Sequence, residues 1–324
     1  MRTFARFLVG TCLLLAAFAQ PSLAQPARGL RAALLPAVKD GGFQMDGYFV
    51  WCSSVIKVGD TYHMFASRWP AEEGMNGWQT HSEVVRATSK NVLGPYTFEE
   101  VVLQKREDAW DKARIHNPRI VKAGSTFVLY YVNTANQTGY ATADSIKGPW
   151  RRIAKHVINA ANPAPLVKPD GSIYLFGRIK DDDQVSRAIA YTAPSFEGPY
   201  SIVEGGANLL PNKAELEDPM IWFTHYRYMV VCTDWKGLAT GTTKAGAEYW
   251  SRDGVKWFLV SKDPVFTKTV EFDDKSSETF TRRERPFVYV NEKGEAVALF
   301  TGCLPKDGSA RIVVQPVKNY VPGK

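Results

Sequence analysis

Glu217-Asp218-Pro219-Met220-Ile221, running on to Tyr228-Met229-Val230-Val231, is the stretch whose reading decides the fold: a charged approach, a proline, an apolar strand, a tight turn and a second strand carrying an aromatic residue. The unit recurs along the chain. Upstream it reads Ser53-Ser54-Val55-Ile56-Lys57-Val58 to Tyr62-His63-Met64-Phe65, then Asn117-Pro118-Arg119-Ile120-Val121 to Phe127-Val128-Leu129-Tyr130-Tyr131. It follows as Asn162-Pro163-Ala164-Pro165-Leu166 to Ile173-Tyr174-Leu175-Phe176, and last as Arg285-Pro286-Phe287-Val288 to Ala296-Val297-Ala298-Leu299-Phe300. Four of the five copies place Pro at the start of the first strand, where it can open a strand without breaking a ladder. A second marker follows four of the hairpins: Gly94-Pro95-Tyr96, Gly148-Pro149-Trp150, Gly198-Pro199-Tyr200 and the degenerate Asp253-Gly254-Val255-Lys256-Trp257, spaced by 54, 50 and 56 residues. A repeat of that length built of short strands fits one propeller blade better than one solenoid turn. One unit cannot bury both faces of its sheet alone, so five must stack around an axis. The sequence predicts an all-β protein, a five-bladed β-propeller.

A chain of 324 residues suits one large all-β domain, and 17 Phe, 14 Tyr and 9 Trp supply its core. Residues 1–24 stand apart as a signal peptide: Arg2 and Arg6 are basic, Phe7 to Ala19 is apolar, and Ser22-Leu23-Ala24 offers a small-residue cleavage site. Residues 25–324 are then the single propeller domain of an exported protein, secreted or periplasmic. The apolar stretch is too short to span a bilayer and no later one is longer, so no membrane partner is expected after cleavage. Cys12 leaves with the leader; Cys52, Cys232 and Cys303 remain, an odd set beside apolar strands that reads as buried free thiols. The formal charge of +7 falls to +5 once Arg2 and Arg6 are removed, and the positive charges are scattered among acids. Nucleic-acid binding wants a basic stripe, so no nucleic-acid partner is expected.

In a propeller the inner strands converge on a central channel, and the loops entering them line one mouth. Those approaches are Asp46 to Ser54, Arg114 to Asn117, Asn159 to Asn162, Glu215 to Asp218 and Arg282 to Arg285. They bring carboxylates, a histidine, amides and arginines to one space. A polar funnel edged with aromatic rings suits a sugar, which offers hydroxyls at its rim and C–H groups on its faces.

Five blades, Gly-Pro-aromatic blade ends and Glu-Asp-Pro before the fourth hairpin resemble glycoside hydrolase family 43 and neighbouring families of its superfamily. The phrases Met45-Asp46-Gly47-Tyr48-Phe49-Val50-Trp51-Cys52, Ser82-Glu83-Val84-Val85-Arg86-Ala87, His116-Asn117-Pro118, Leu216-Glu217-Asp218-Pro219 and Arg283-Glu284-Arg285-Pro286 look like a family-43-like branch, over roughly residues 40 to 305. The resemblance implies a glycosidase without a cofactor. A first-blade carboxylate acts as base, a third-blade carboxylate modulates pKa, and a fourth-blade glutamate protonates the leaving group. Matched here, the acid falls on Glu217. The first-blade position reads Cys52-Ser53, so the nearest carboxylate, Asp46, becomes the candidate base. The third-blade Asp-Pro has become Asn162-Pro163, leaving Asp218 or Glu284 to replace the modulator. A neighbouring family uses a histidine acid, for which His116 is the candidate.

Around these stand the candidate substrate-binding residues Trp51, Glu83, Asn117, Asn162, Arg178, Asp218, Glu284 and Arg285. Trp51, Tyr48 and Trp78 can stack on a sugar ring, and Glu83 can pair with Arg86 along its strand. His63, inside a strand, reads as a packed core histidine. Asp181-Asp182-Asp183 lacks a defined ligand spacing and reads as a solvated loop, and no metal site is expected. Strand alternation turns Asp218 away from Glu217, so a charge from another blade, Asp46 or Glu284, is expected to perturb the acid. The leading function is removal of a terminal sugar from a plant or algal poly- or oligosaccharide. The alternatives are a glycan-binding propeller without catalysis and a glycoside phosphorylase whose Arg282–Arg285 cluster holds phosphate.

Overall fold

The computed structural model describes residues 29–107, 109–112, 114–180, 185–207, 209–211, 215–224 and 226–320; residues 1–24, expected to be a signal peptide, and the acidic triple Asp181 to Asp183 lie outside them. The described residues form five antiparallel blades, each numbered outward from its innermost strand. The first holds β1 (Tyr48–Val58), β2 (Thr61–Pro70), β3 (Glu83–Ser89) and β4 (Thr97–Leu103). The second holds β5 (His116–Ala123), β6 (Thr126–Val132), β7 (Thr138–Ala143) and β8 (Arg151–Arg152). The third holds β9 (Ala161–Val167), β10 (Ile173–Lys180), β11 (Ser186–Ala193) and β12 (Ser201–Ala207). The fourth holds β13 (Leu216–Thr224), β14 (Arg227–Asp234), β15 (Ala245–Ser251) and β16 (Trp257–Leu259). A hairpin of β17 (Thr269–Glu271) and β18 (Ser277–Thr279) leads into the fifth, made of β19 (Arg282–Val290), β20 (Ala296–Leu304) and β21 (Arg311–Tyr320). The expected five-bladed β-propeller is the observed fold.

The two-residue period of a strand explains why the blades stack. Along β14, Val230 and Cys232 enter the seam with the third blade, while their neighbours Met229 and Val231 enter the seam with the fifth. Both faces are thus buried, as continuous apolar runs require. Each pair of adjacent blades shares one such seam, five around the axis. The Gly-Pro-aromatic markers close the hairpins beside these seams. Gly94-Pro95, Gly148-Pro149 and Gly198-Pro199 are cis, and the following tyrosines return to the turn, Tyr96 Oη donating to Val92 O (2.9 Å) and Tyr200 Oη to Phe196 O (2.8 Å). Gly94 adopts φ 81° with Gly42 O where a Cβ would stand, at 2.8 Å, so no side chain fits there. In the fourth blade Trp257 Nε1 donates to Gly254 O (3.1 Å), which does the same work without a proline.

The ring closes with both ends of the described chain. Leu30–Ala33 is a single helical turn, α1, and pairing runs from Leu34 to Phe43. Leu35 N donates to Pro316 O (2.9 Å), Val38 N to Val314 O (3.1 Å) and Ile312 N to Phe43 O (2.8 Å), so this segment is the fourth strand that the last blade lacks. A closed ring leaves no open edge to aggregate. The clasp is anchored by Glu248 of the fourth blade, whose buried carboxylate accepts Leu30 N (2.8 Å) and the Tyr320 hydroxyl.

Burial pushes the Glu248 carboxyl from 4.5 up to about 7, against the pull of the Tyr320 and Leu30 donors. The folded chain therefore keeps a proton there that the unfolded chain releases. That contribution is fully present below pH 4.5 and is lost as pH rises through about 7. Glu248→Gln cannot titrate. Its stability relative to the native chain should rise between pH 5 and pH 8 by up to about 3 kcal/mol. Urea unfolding at each pH measures this, and a difference that does not change with pH would contradict the assignment.

Candidate active site

Each inner strand carries a β-bulge near its entry, and at each bulge one residue adopts a left-handed backbone. These are Cys52 (φ 59°), Asn117 (56°), Asn162 (53°), Asp218 (57°) and Arg285 (60°), one per blade. Asn and Asp tolerate this conformation better than other side chains, and three of the five are Asn or Asp. Four are followed by Pro, whose missing N–H costs nothing where a bulge interrupts the ladder. Five equivalent positions on five converging strands make a ring across the channel.

Hydrogen bonds run along that ring in one direction from Cys52 to Asp218. Cys52 Sγ donates to Asn117 Oδ1 (2.9 Å), and Asn117 Nδ2 donates to Asn162 Oδ1 (2.6 Å). Asn162 Nδ2 then donates to Asp218 Oδ1 and to Glu217 Oε2, each at 2.9 Å. Arg285, the fifth member, donates through NH1 to the same Asp218 Oδ1 from the other side, so the bonds converge on Asp218. Beneath the ring, the buried guanidinium of Arg119 donates to Ser53 O (2.7 Å), Pro286 O (3.2 Å) and Pro219 O (3.4 Å), tying three blades together across the axis. Below it the channel continues as an apolar cavity of about 190 Å³ bordered by Val55, Ile120, Leu166, Ile221 and Val288. Arg119 thus converts a tunnel into a polar pocket with a closed floor.

The electrostatics follow from burial. The Asp218 carboxyl is pushed up to about 7 by desolvation; Arg285 opposes this, while Glu217 and Glu284 add to it. Burial holds the Cys52 thiol protonated, up to about 12. Burial, with the charges of Arg285 and Arg114, lowers His116 well below the usual imidazole range, so it stands as a neutral ring.

The structure brings most of the candidate residues together. Asn117, Asn162, Asp218 and Arg285 are ring members, and Glu217 lies beside the ring with its side chain 18% exposed. Glu217 accepts Ser186 Oγ (3.1 Å) as well as Asn162, and Arg178 Nε stands 3.3 Å from its Oε2. The expectation that alternation turns Asp218 away from Glu217 fails. The bulge breaks the two-residue period, and both carboxylates accept from one amide nitrogen, so the Glu217 charge adds to the upward push on Asp218.

His116 is buried. Its Nδ1 meets Ser82 Oγ at 2.7 Å, its Nε2 meets Cys52 Sγ at 3.5 Å, and Trp78 stacks on it at 5.1 Å. Glu284 is buried in a bidentate pair with Arg282, at 2.9 and 2.8 Å. In the Arg282–Arg285 cluster, Arg282 and Arg285 are thereby paired with Glu284 and Asp218, and Arg283 is buried on Thr301 Oγ1, Thr267 O and Gln315 Oε1, instead of standing free for phosphate. Glu83 pairs with Arg68 (2.8 Å), its opposite number on β2, while Arg86 pairs with Glu100 (2.8 Å) and lies against His63.

Two residues lie elsewhere. Trp51, expected at a sugar face, is 1% exposed and packs over Gly302 of the fifth blade, so its ring belongs to the core. Asp46 is exposed in the turn before β1, six residues ahead of Cys52, and no described hydrogen bond ties it to the ring. Sequence reasoning missed Arg119 and Ser186, and read Cys52 as a departure instead of a ring member. The signal for the ring was present in the residue before each strand-opening proline. Among the described residues, no group of three His, Cys, Asp or Glu could hold a metal ion.

The fold matches solved glycoside hydrolases of the five-bladed propeller type. A family 117 glycoside hydrolase of the marine bacterium Zobellia galactanivorans superposes with a TM-score of 0.63 at 14% identity, covering 87% of this chain and 89% of its own. An endo-arabinase of Bacteroides thetaiotaomicron gives 0.61 at 12% identity, covering 84% and 95%. An α-L-arabinofuranosidase of Podospora anserina, solved with cellotriose, gives 0.61 at 16% identity, covering 90% and 96%. No protein-family model and no curated protein matches the sequence.

Removing the Asp218 charge should leave Arg285 buried without its partner. Asp218→Asn is expected to lower unfolding stability by about 3–5 kcal/mol. Denaturant unfolding at pH 8 checks this, and a loss below about 1 kcal/mol would show that the pair is not formed.

Proposed function

We propose that the protein is an exported glycoside hydrolase that cleaves a terminal sugar from plant or algal poly- or oligosaccharide by carboxylate acid/base catalysis. The observation that carries this reading is Glu217. Of the three carboxylates at the ring, Asp218 and Glu284 are buried in ion pairs, and Glu217 alone keeps enough exposure to touch a ligand. The fold shared with glycosidases supports the reaction class. The floor closed by Arg119 supports attack at a chain end, because a glycan can enter only from the mouth.

Glycoside hydrolysis needs a proton donor to the leaving oxygen and a carboxylate on the other side of the sugar. Glu217 is the donor in this reading. Asp218, sharing the Asn162 amide with it, is the adjacent carboxyl. Asp46, exposed in the turn before β1, is the base in this reading. Arg178 and Ser186 fix the Glu217 side chain, which shortens the search for a productive geometry. His116, neutral and clamped, bears on the ring through Cys52. A thiol and two amides at ring positions 52, 117 and 162 favour a second reading, a propeller that binds glycans without cleaving them.

Glu217→Gln keeps the shape and removes the proton, so turnover of a natural linkage should fall by about 10²–10⁴-fold. An activated aryl glycoside, whose leaving group needs little protonation, should be hurt much less. Asp46→Asn should impair both substrates. Full activity of Glu217→Gln on the natural linkage would move the acid elsewhere. Glycan affinity with no turnover in the native chain would establish the binding reading instead.

A further inference from the structure

Among the described residues around the ring, Arg114 is a buried cation that no carboxylate meets. It stands three residues before Asn117, in the tier that holds Glu215 in the fourth blade and Arg282 in the fifth. Arg68, Arg178, Lys236, Arg282 and Arg285 each have a carboxylate within ion-pairing distance, and Arg283, which has none, is committed to Thr301 Oγ1, Thr267 O and Gln315 Oε1. Arg119 is committed to carbonyls below the floor. Arg114 Nε and NH2 both donate to one oxygen, Asn133 O, at 3.3 and 3.2 Å, and NH2 lies 3.5 Å from Asn136 Oδ1. Its NH1 has no partner among the described residues and is not one of the polar atoms sealed from solvent.

The guanidinium is also held rigid. It lies 4.4 Å from the Trp78 ring, which in turn stacks on His116. The residue is only 6% exposed, and burial beside Arg285 and Arg178 lowers its pKa to about 10. A buried cation is costly unless an anion meets it. A charged guanidinium with NH1 unpartnered can donate to a carboxylate or a sulfate group.

We propose that Arg114 receives an anionic group of the substrate, a sugar carboxylate or sulfate ester, so that the glycan this site takes is acidic. The proposal rests on the reading of the ring end as a glycan site. Arg114 then holds the sugar from the second blade and Glu217 reaches it from the fourth, with the third blade between them.

Titration calorimetry of the native chain tests this. The ligands are oligogalacturonides, sulfated galactan oligosaccharides, and neutral arabinan and galactan oligosaccharides of equal length, with product analysis of every mixture. One acidic set should bind at least about tenfold more tightly than the neutral sets at low salt, and the preference should shrink as salt is added. Which set responds distinguishes carboxylate from sulfate. Arg114→Met should abolish the preference, and Arg114→Lys should retain part of it. The salt series on the native chain decides the matter even if Arg114→Met does not fold. Equal affinity for neutral and acidic sets, or a preference that survives in folded Arg114→Met, overturns the proposal. Acidic binding without products would remove the hydrolase reading and leave this one standing; cleavage of neutral oligosaccharides alone would do the reverse.

Discussion

A left-handed residue in each inner strand is the constraint on which the site depends. An extended strand sends successive side chains to opposite faces, and in a propeller both faces are seams between blades. A regular inner strand would therefore bury every side chain between blades and leave little to meet at the axis. The bulge interrupts the period once per blade, and the residue at the interruption turns inward. The cost of a positive φ is moderated by Asn117, Asn162 and Asp218, whose side chains tolerate it, and is met at Cys52 and Arg285 by their place in the hydrogen-bonded ring.

The polarity of the ring has a consequence for its charges. The thiol donates to an amide, the amide to the next amide, and the second amide to two carboxylates at once. Each amide orientation is thereby fixed, and both donors of the circuit end on the acidic side, where Glu217 and Asp218 lie. The opposite side, built from His116, Trp78 and Arg114, holds a neutral imidazole and an unmatched cation. The pocket is therefore asymmetric, acidic at the fourth blade and cationic at the second. Arg119 keeps that asymmetry from leaking into the apolar half of the channel.

Much of the fold was legible because blade repeats are local. Proline before an apolar run and Gly-Pro-aromatic after a hairpin are short-range signals, and each marks a turn or strand start that the structure contains. The sequence also placed Glu217, Asp218, Asn162 and Arg285 in one space, since residues that enter inner strands must share a mouth. What stayed hidden depends on register and on contacts between distant blades. Alternation implied that Asp218 faces away from Glu217, and only a bulge reverses that. Glu83 and Arg86 are three apart on one strand and so face opposite sides, whereas cross-strand register sets Glu83 against Arg68. Trp51 became core because Gly302, more than two hundred residues later, leaves room for its ring. Arg119 reads as an ordinary strand residue until the carbonyls of three blades are seen to converge on it.

The central claim is that chemistry occurs at the ring, on the mouth side of Arg119. A crystal structure of the Glu217→Gln protein soaked with a cleavable oligosaccharide tests it most directly. The account predicts a terminal sugar seated over the ring, within hydrogen-bond reach of the residue 217 side chain and directed outward through the mouth. A sugar bound at the opposite opening, beside Tyr289 and Trp222, or on the outer face of a blade with the ring empty, would contradict it.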